Sequence, residues 1–293
     1  MPGFDGLAPV DGWVVAAILA KAVGYAAALL AMGGPLFLIA LPQAGVQTRR
    51  VVMRTTLAAI LVALLVMTLR LDIRAGRISG GIEGMLDPVM IGIVWDSPLG
   101  DSLVLRGIGL AIVLLILVPT TWGLACSLVG AVLVAVSYTR VGHSLGEPRS
   151  LLTALLTVHL LAAAYWVAAL EPLRRGAQCP STAVLRRFGE IASVTVAALV
   201  IVGGSFAYLL VGGFDGLFRT AYGWILIAKV ALVGFLLGFA ALNKLRLVPA
   251  IEKGEPGAPA RLRRSIGWEM AVVAAILLAT ATLTSITTPP ANL

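Results

Sequence analysis

The chain has 293 residues, 59% hydrophobic and 12% charged, with a mean hydropathy of +1.00; soluble domains carry roughly a quarter charged residues, so an ordinary soluble fold is excluded and the chain belongs in a bilayer. Its formal charge of +8 would suggest nucleic acid in a soluble protein, but in an apolar chain the placement of the cations matters more than their sum. Two cysteines and two histidines exclude a disulfide framework, a cysteine metal cluster and a four-histidine site.

The N-terminus, Met1 to Asp11, has no Lys or Arg ahead of its first apolar run, which argues against a cleaved secretory signal. A helix needs about 20 apolar residues to cross the hydrocarbon. In chain order the predicted spans are 13–39, 52–71, 102–119, 122–139, 150–171, 190–212, 220–243 and 267–288. The uncharged stretch 107–139 is too long for one untilted helix and breaks at Pro119-Thr120-Thr121-Trp122. The outer connection 72–101 is rich in Gly, and its second half, Gly84 to Trp95, reads as a short interfacial helix or re-entrant turn. The connection 244–265, with Pro249, Pro256 and Pro259, reads as a solvated linker without a fold of its own.

Splitting 107–139 sends thirteen cations to one face, among them Arg49, Arg50, Arg174, Arg186, Lys244 and Arg263, against five acids, a net +8. The other face has five cations against nine acids, a net −4, and Lys21, Arg70, Arg106 and Lys229 are left within the spans. By the positive-inside tendency the first face is cytoplasmic. The expected architecture is an all-α polytopic membrane protein of eight transmembrane helices, a single domain over 1–293 with both termini periplasmic. The basic balance is then topology, and nucleic acid is not a partner.

Ionisable groups inside a membrane are functional candidates by default. His143 follows the fourth span at the outer surface, and His159 lies about nine residues into the fifth, near mid-depth at about 1.5 Å per residue. His159 shares a face with Ala162, Ala163 and Trp166, small enough for another helix or a flat cofactor to approach the imidazole. His143 reads either as a solvated loop residue or as a ligand, and His159 either as a hydrogen-bonding packing residue or as a ligand. Imidazole suits copper and iron, and thioether sulfur suits cuprous copper. Met67, Met85 and Met90 lie at comparable outer depth, whereas Met32, Met53, Met270 and Cys126 fall nearer the inner face and read as filler.

Lys21 and Lys229 sit at mid-membrane depth and Arg106 shallower, with no Asp or Glu to pair them. They lose their charge to desolvation, snorkel outward, bond backbone carbonyls or hold an anion such as a cofactor carboxylate. Glu190 and Glu269 read as helix-start residues favoured by the helix dipole. The Gly234/Gly238 GxxxG, with Gly33-Gly34 and Gly203-Gly204, reads as close helix packing. No nucleotide loop, HExxH or Ser/His/Asp set is present, so no enzyme is expected.

Gly142-His143, His159 to Trp166, Arg187-Phe188, Thr220-Ala221-Tyr222-Gly223 with Lys229, Asn243-Lys244 to Pro249, Arg263-Arg264-Ser265 with Glu269, and Pro289-Pro290 follow one another in a fixed order and spacing. In these the sequence resembles the CopD family of bacterial inner-membrane copper-resistance proteins. The resemblance runs from about residue 138 to 290 and is looser over 1–137. Ala168 and Ala169 stand where the family usually has a Gly-Gly pair, which bears on local packing. The resemblance implies an inner-membrane, multi-pass protein taking part in copper uptake or delivery, often with a small periplasmic copper carrier, CopC. Combined with the residues, it gives copper arriving at the acidic outer face near Met85, Met90 and His143, then engaging His159 and Met67. A membrane b-type haem or redox protein is the competing reading, with His159 axial, Trp166 lining the macrocycle, and Lys21, Lys229 or Arg106 on the propionates. A scaffold that only docks a periplasmic copper carrier is the third.

Overall fold

A computed structural model describes residues 9–141, 148–177, 181–211 and 214–287. Eight stretches are long and apolar enough to cross a membrane, and among the described residues there is no strand. The helices are α1 (Gly12–Ala40), α2 (Val46–Ser79), α3 (Pro88–Trp95), α4 (Pro98–Val113), α5 (Thr121–Ser137), α6 (Arg149–Gly176), α7 (Thr182–Val211), α8 (Phe214–Arg219), α9 (Ala221–Leu242), α10 (Val248–Glu252) and α11 (Ala258–Ile286). Only the short α3, α8 and α10 are not spans by themselves, and α10 extends the α9 span.

The break within 107–139 falls as expected. A 3-10 turn, Leu114–Leu117, closes α4, and Thr120 caps α5 by accepting a hydrogen bond from the Gly123 amide at 3.0 Å. Replacing Thr120 with alanine should lower stability by about 1 kcal/mol, the usual worth of such a cap, read as a lowered unfolding midpoint in detergent. The outer segment takes the helical form: Asp87 caps α3 at the Val89 amide, 2.8 Å, with Pro88 in the first turn.

The expected linker at 244–265 is instead largely helical. A π turn, Asn243–Leu247, carries α9 into α10, and α11 already begins at Ala258. Pro259 sits in the first turn of α11, where the missing amide hydrogen would have had no partner anyway, whereas Pro249 follows the π turn inside the continuous helix Ala221–Glu252. Neither proline ends a helix.

α1 and α6 are the centre of the bundle. α1 packs on α2, α5, α6 and α11, and α6 packs also on α7 and α11. Leu41, Val52, Ile116, Leu173, Leu185 and Leu262 meet in one cluster, so the helix ends beside the Arg-rich connections lie together. At the opposite end Leu210, Tyr222 and Leu283 form a separate cluster. The start of α1 and the end of α11 share that end, because Lys21 Nζ donates to the Thr284 carbonyl at 2.8 Å.

Where helices cross closely, small residues permit it. A Cβ on Gly33 would overlap the Ala164 carbonyl and the Ala168 methyl of α6, and one on Gly34 would overlap the Thr56 hydroxyl of α2. Ala168 therefore fits because its partner is glycine. The GxxxG of α9 is different: Cβ atoms on Gly234 and Gly238 would meet nothing, so that motif makes no helix contact among the described residues.

Candidate functional site

The outer methionines separate into two groups. Met67 of α2 and Met90 of α3 both pack against the cluster of Leu71, Ala75, Val94 and Leu103. Met67 faces α4, with its methyl 3.8 Å from the position of a Cβ on Gly107. Met85 ends the 3-10 turn Ile82–Met85 and packs on another face of α2, beside Trp13 and over Gly76. His159 joins neither group. Its ring lies 3.8 Å from a Cβ position on Gly203 of α7. His143 lies outside the described residues. No group of three or more His, Cys, Asp or Glu able to hold a metal occurs among the described residues.

Two of the cations within the spans, Arg106 and Lys21, have partners of their own. Arg106 is 3% exposed; its Nε donates to the Ser137 hydroxyl and Nη2 to the Ser102 hydroxyl, each at 3.0 Å, and its guanidinium sits 3.7 Å above the Tyr138 ring. Tyr138 packs against Tyr25 with centroids 5.7 Å apart, and the Tyr25 hydroxyl lies 3.2 Å from that of Thr284. Lys21 bonds the carbonyl of the same Thr284, which matches the backbone-carbonyl reading. The chain of contacts ties α4, α5, α1 and α11 without any carboxylate. Lys21 and Arg106, which the haem reading would assign to propionates, are thus satisfied within the protein.

The inner half holds a site that sequence reasoning passed over. α7 and α9 stand apart over a cavity of about 580 Å³ floored by α6 and α11. Glu269 lines it, is 4% exposed, and sits about three turns into α11, so the expectation of a helix-start carboxylate is corrected. The Trp166 indole donates to its Oε2 at 3.3 Å, and the Asn243 amide donates to its Oε1. Glu190 likewise lies about two turns inside α7 and not at its start, but it is exposed and pairs with Arg186 and Arg187 at 3.6 and 3.4 Å. A signal for Glu269 was present in the sequence: Ser265, Ile266, Val272 and Val273, its neighbours one turn away, include no cation. Of the residues on which the resemblance rests, Trp166, Phe188, Asn243, Lys244, Pro249 and Glu269 all line this cavity.

Eight apolar spans, buried Lys21 and Arg106 held by serines, a tyrosine and a backbone carbonyl, and a carboxylate-bearing cavity define a multi-pass α-helical membrane protein with a polar interior. Two sequence models match it in order: "Copper resistance protein D-like, N-terminal domain" over residues 10–148 and "Copper resistance protein D" over residues 182–283. The chain belongs to the CopD family. It is 35% identical over 86 residues, 28% of each chain, to "Copper resistance protein D" of Pseudomonas syringae pv. tomato. It is 27% identical over 141 residues to "Copper transport protein CutJ" of Bacillus subtilis (strain 168), covering 45% of this chain and 25% of that one. The matched segments span about a quarter of the length of these relatives. No solved structure matches significantly.

Proposed function

We propose that the protein binds copper on its outer, periplasmic half and passes it into the bundle of the bacterial inner membrane, as part of copper homeostasis or resistance. The observation that carries this reading is the ordered match of both copper-resistance sequence models to the two parts of the chain. Met67 and Met90, packed on one cluster, offer thioethers suited to cuprous copper. His143 and Met85 are the outer receiving ligands, and His159, beside the glycine of α7, is the ligand within the bundle. The acidic connection between Asp72 and Asp101 is the place for a CopC-like periplasmic carrier to deliver the ion. The role is binding and transfer, without catalysis.

The test is the metal content and visible spectrum of the full chain purified in detergent. Stoichiometric copper is expected, with affinity lowered at least about tenfold in His159→Ala, since even outer-shell partners of a metal are worth that much. A Soret band in the wild type would overturn the copper reading in favour of haem. Copper bound equally well by His159→Ala would remove His159 from the site.

A further inference from the structure

Glu269 has a feature that copper binding on the outer half does not use. It is a buried carboxylate whose hydrogen bonds come only from neutral donors, the Trp166 indole and the Asn243 amide. No cation among the described residues lies within ion-pair distance. A buried charge without a partner is strongly unfavourable, so the site needs one positive charge from outside the chain. The cavity supplies a route from the basic face: Arg186, Glu190 and Glu252 line it together with Glu269.

The chemistry of the cavity selects the charge. Beside the carboxylate, Asn243 offers one further acceptor, Oδ1, which is buried with no protein donor. Val196, Leu237 and Ile266 line the same cavity, and the Ser193 hydroxyl, also in the lining, is taken by Lys244. Metal ions held by oxygen take about six ligands or more, whereas a proton needs one. The charged neighbours are otherwise engaged. Lys244, in the π turn, donates to the Ser193 hydroxyl of α7, while Arg186 and Glu190 pair with each other. On α6, Glu171 is held by Arg174 and Arg175; Glu252 of α10 is exposed, and α1 has no titratable side chain in its inner half.

We propose that Glu269 is a proton-exchange site open to the basic, cytoplasmic face through the cavity between α7 and α9, and that it makes copper transfer proton-linked. The proton moves between a carboxylate oxygen of Glu269 and water in the cavity, with Asn243 and Trp166 holding the carboxyl group in place. The linkage rests on the copper reading above; the exchange site does not.

Two measurements on the full chain separate these parts. In lipid nanodiscs, infrared difference spectra between about pH 5 and pH 9, a range wide enough to contain a shifted carboxyl group, should show a carboxyl carbonyl band typical of groups shielded from bulk water. The band should shift in heavy water, vanish in Glu269→Gln and persist in Glu190→Gln. Gln keeps the shape of Glu and can pair with a rotated Asn243 amide, so the variant should fold. A wild-type spectrum with no band that Glu269→Gln removes, or a band that heavy water does not shift, overturns the exchange site.

In proteoliposomes, one proton linked to each copper would change the equilibrium copper ratio about tenfold per pH unit of imposed gradient, and Glu269→Gln should lose this response. Copper movement that answers the gradient equally in Glu269→Gln overturns the linkage and leaves the copper reading standing. Wild-type vesicles that move no copper, with the infrared band present, overturn the copper reading and the linkage but support the exchange site.

Discussion

Gly33→Leu is expected to prevent the bundle from assembling, with a stability loss of about 3 kcal/mol or more, at the upper end for overpacked interiors. Even one methyl group at Gly33 would collide with the Ala164 carbonyl and Ala168 of α6. The carbonyl belongs to helix backbone and cannot rotate away, so α1 would have to withdraw from α6. Those two helices form the centre of the structure, so separating them also loosens α2, α5 and α11. Gly234→Leu, on the open face of α9, should fall within about 0.5 kcal/mol of wild type. Thermal unfolding of both variants in detergent checks the contrast, and equal midpoints would contradict the packing described for Gly33.

Arg106→Ala should be the second most damaging change, lowering stability by about 3 kcal/mol. The guanidinium makes two charge-assisted hydrogen bonds, each worth about 1.5 to 3 kcal/mol in favourable cases, and a contact with the Tyr138 face worth up to about 2 kcal/mol when desolvated. Against these stands the expense of burying the charge, which alanine removes. Arg106→Met retains most of the volume and should lose less, so the difference between the variants reports the void. If Arg106→Met were as stable as wild type, the network of Ser102, Ser137 and Tyr138 would contribute nothing net. Both variants should retain copper when folded, because Arg106 holds helices together and touches no proposed ligand.

The number and order of spans were legible in the sequence because each rests on a local quantity. About 20 apolar residues make a helix stable in hydrocarbon, and Pro119-Thr120 ends one helix and caps the next wherever it occurs. The misreadings arose at span ends. Pro249 and Pro259 looked like breakers, yet Pro259 stands in a first turn, where proline is compatible with a helix, and Pro249 is accommodated just after the π turn. That error shortened α11 at its start and placed Glu269 at a helix N-terminus, when it lies about three turns inside. The GxxxG of α9 was a packing motif by spacing alone, while the adjacent pair Gly33-Gly34 makes close crossings with α6 and α2.

The candidate site was legible only in its ingredients. The sequence marked His159, Met67, Met85, Met90 and the unpaired interior cations, because a polar residue in an apolar run is conspicuous wherever it falls. Composition and hydropathy by themselves determined a membrane bundle of eight spans and the division of its charge into a basic end and an acidic end. Tertiary structure alone decided the partners: Met67 and Met90 on one cluster and Met85 on another, Lys21 on the Thr284 carbonyl, Arg106 between two serines and a tyrosine, and Glu269 with Trp166 and Asn243 in a cavity. The physical reason is helix rotation. In a bilayer every face of an apolar helix is equally compatible with lipid, so hydropathy fixes depth and leaves azimuth free. Azimuth is set by where small residues such as Gly33 let another helix come close.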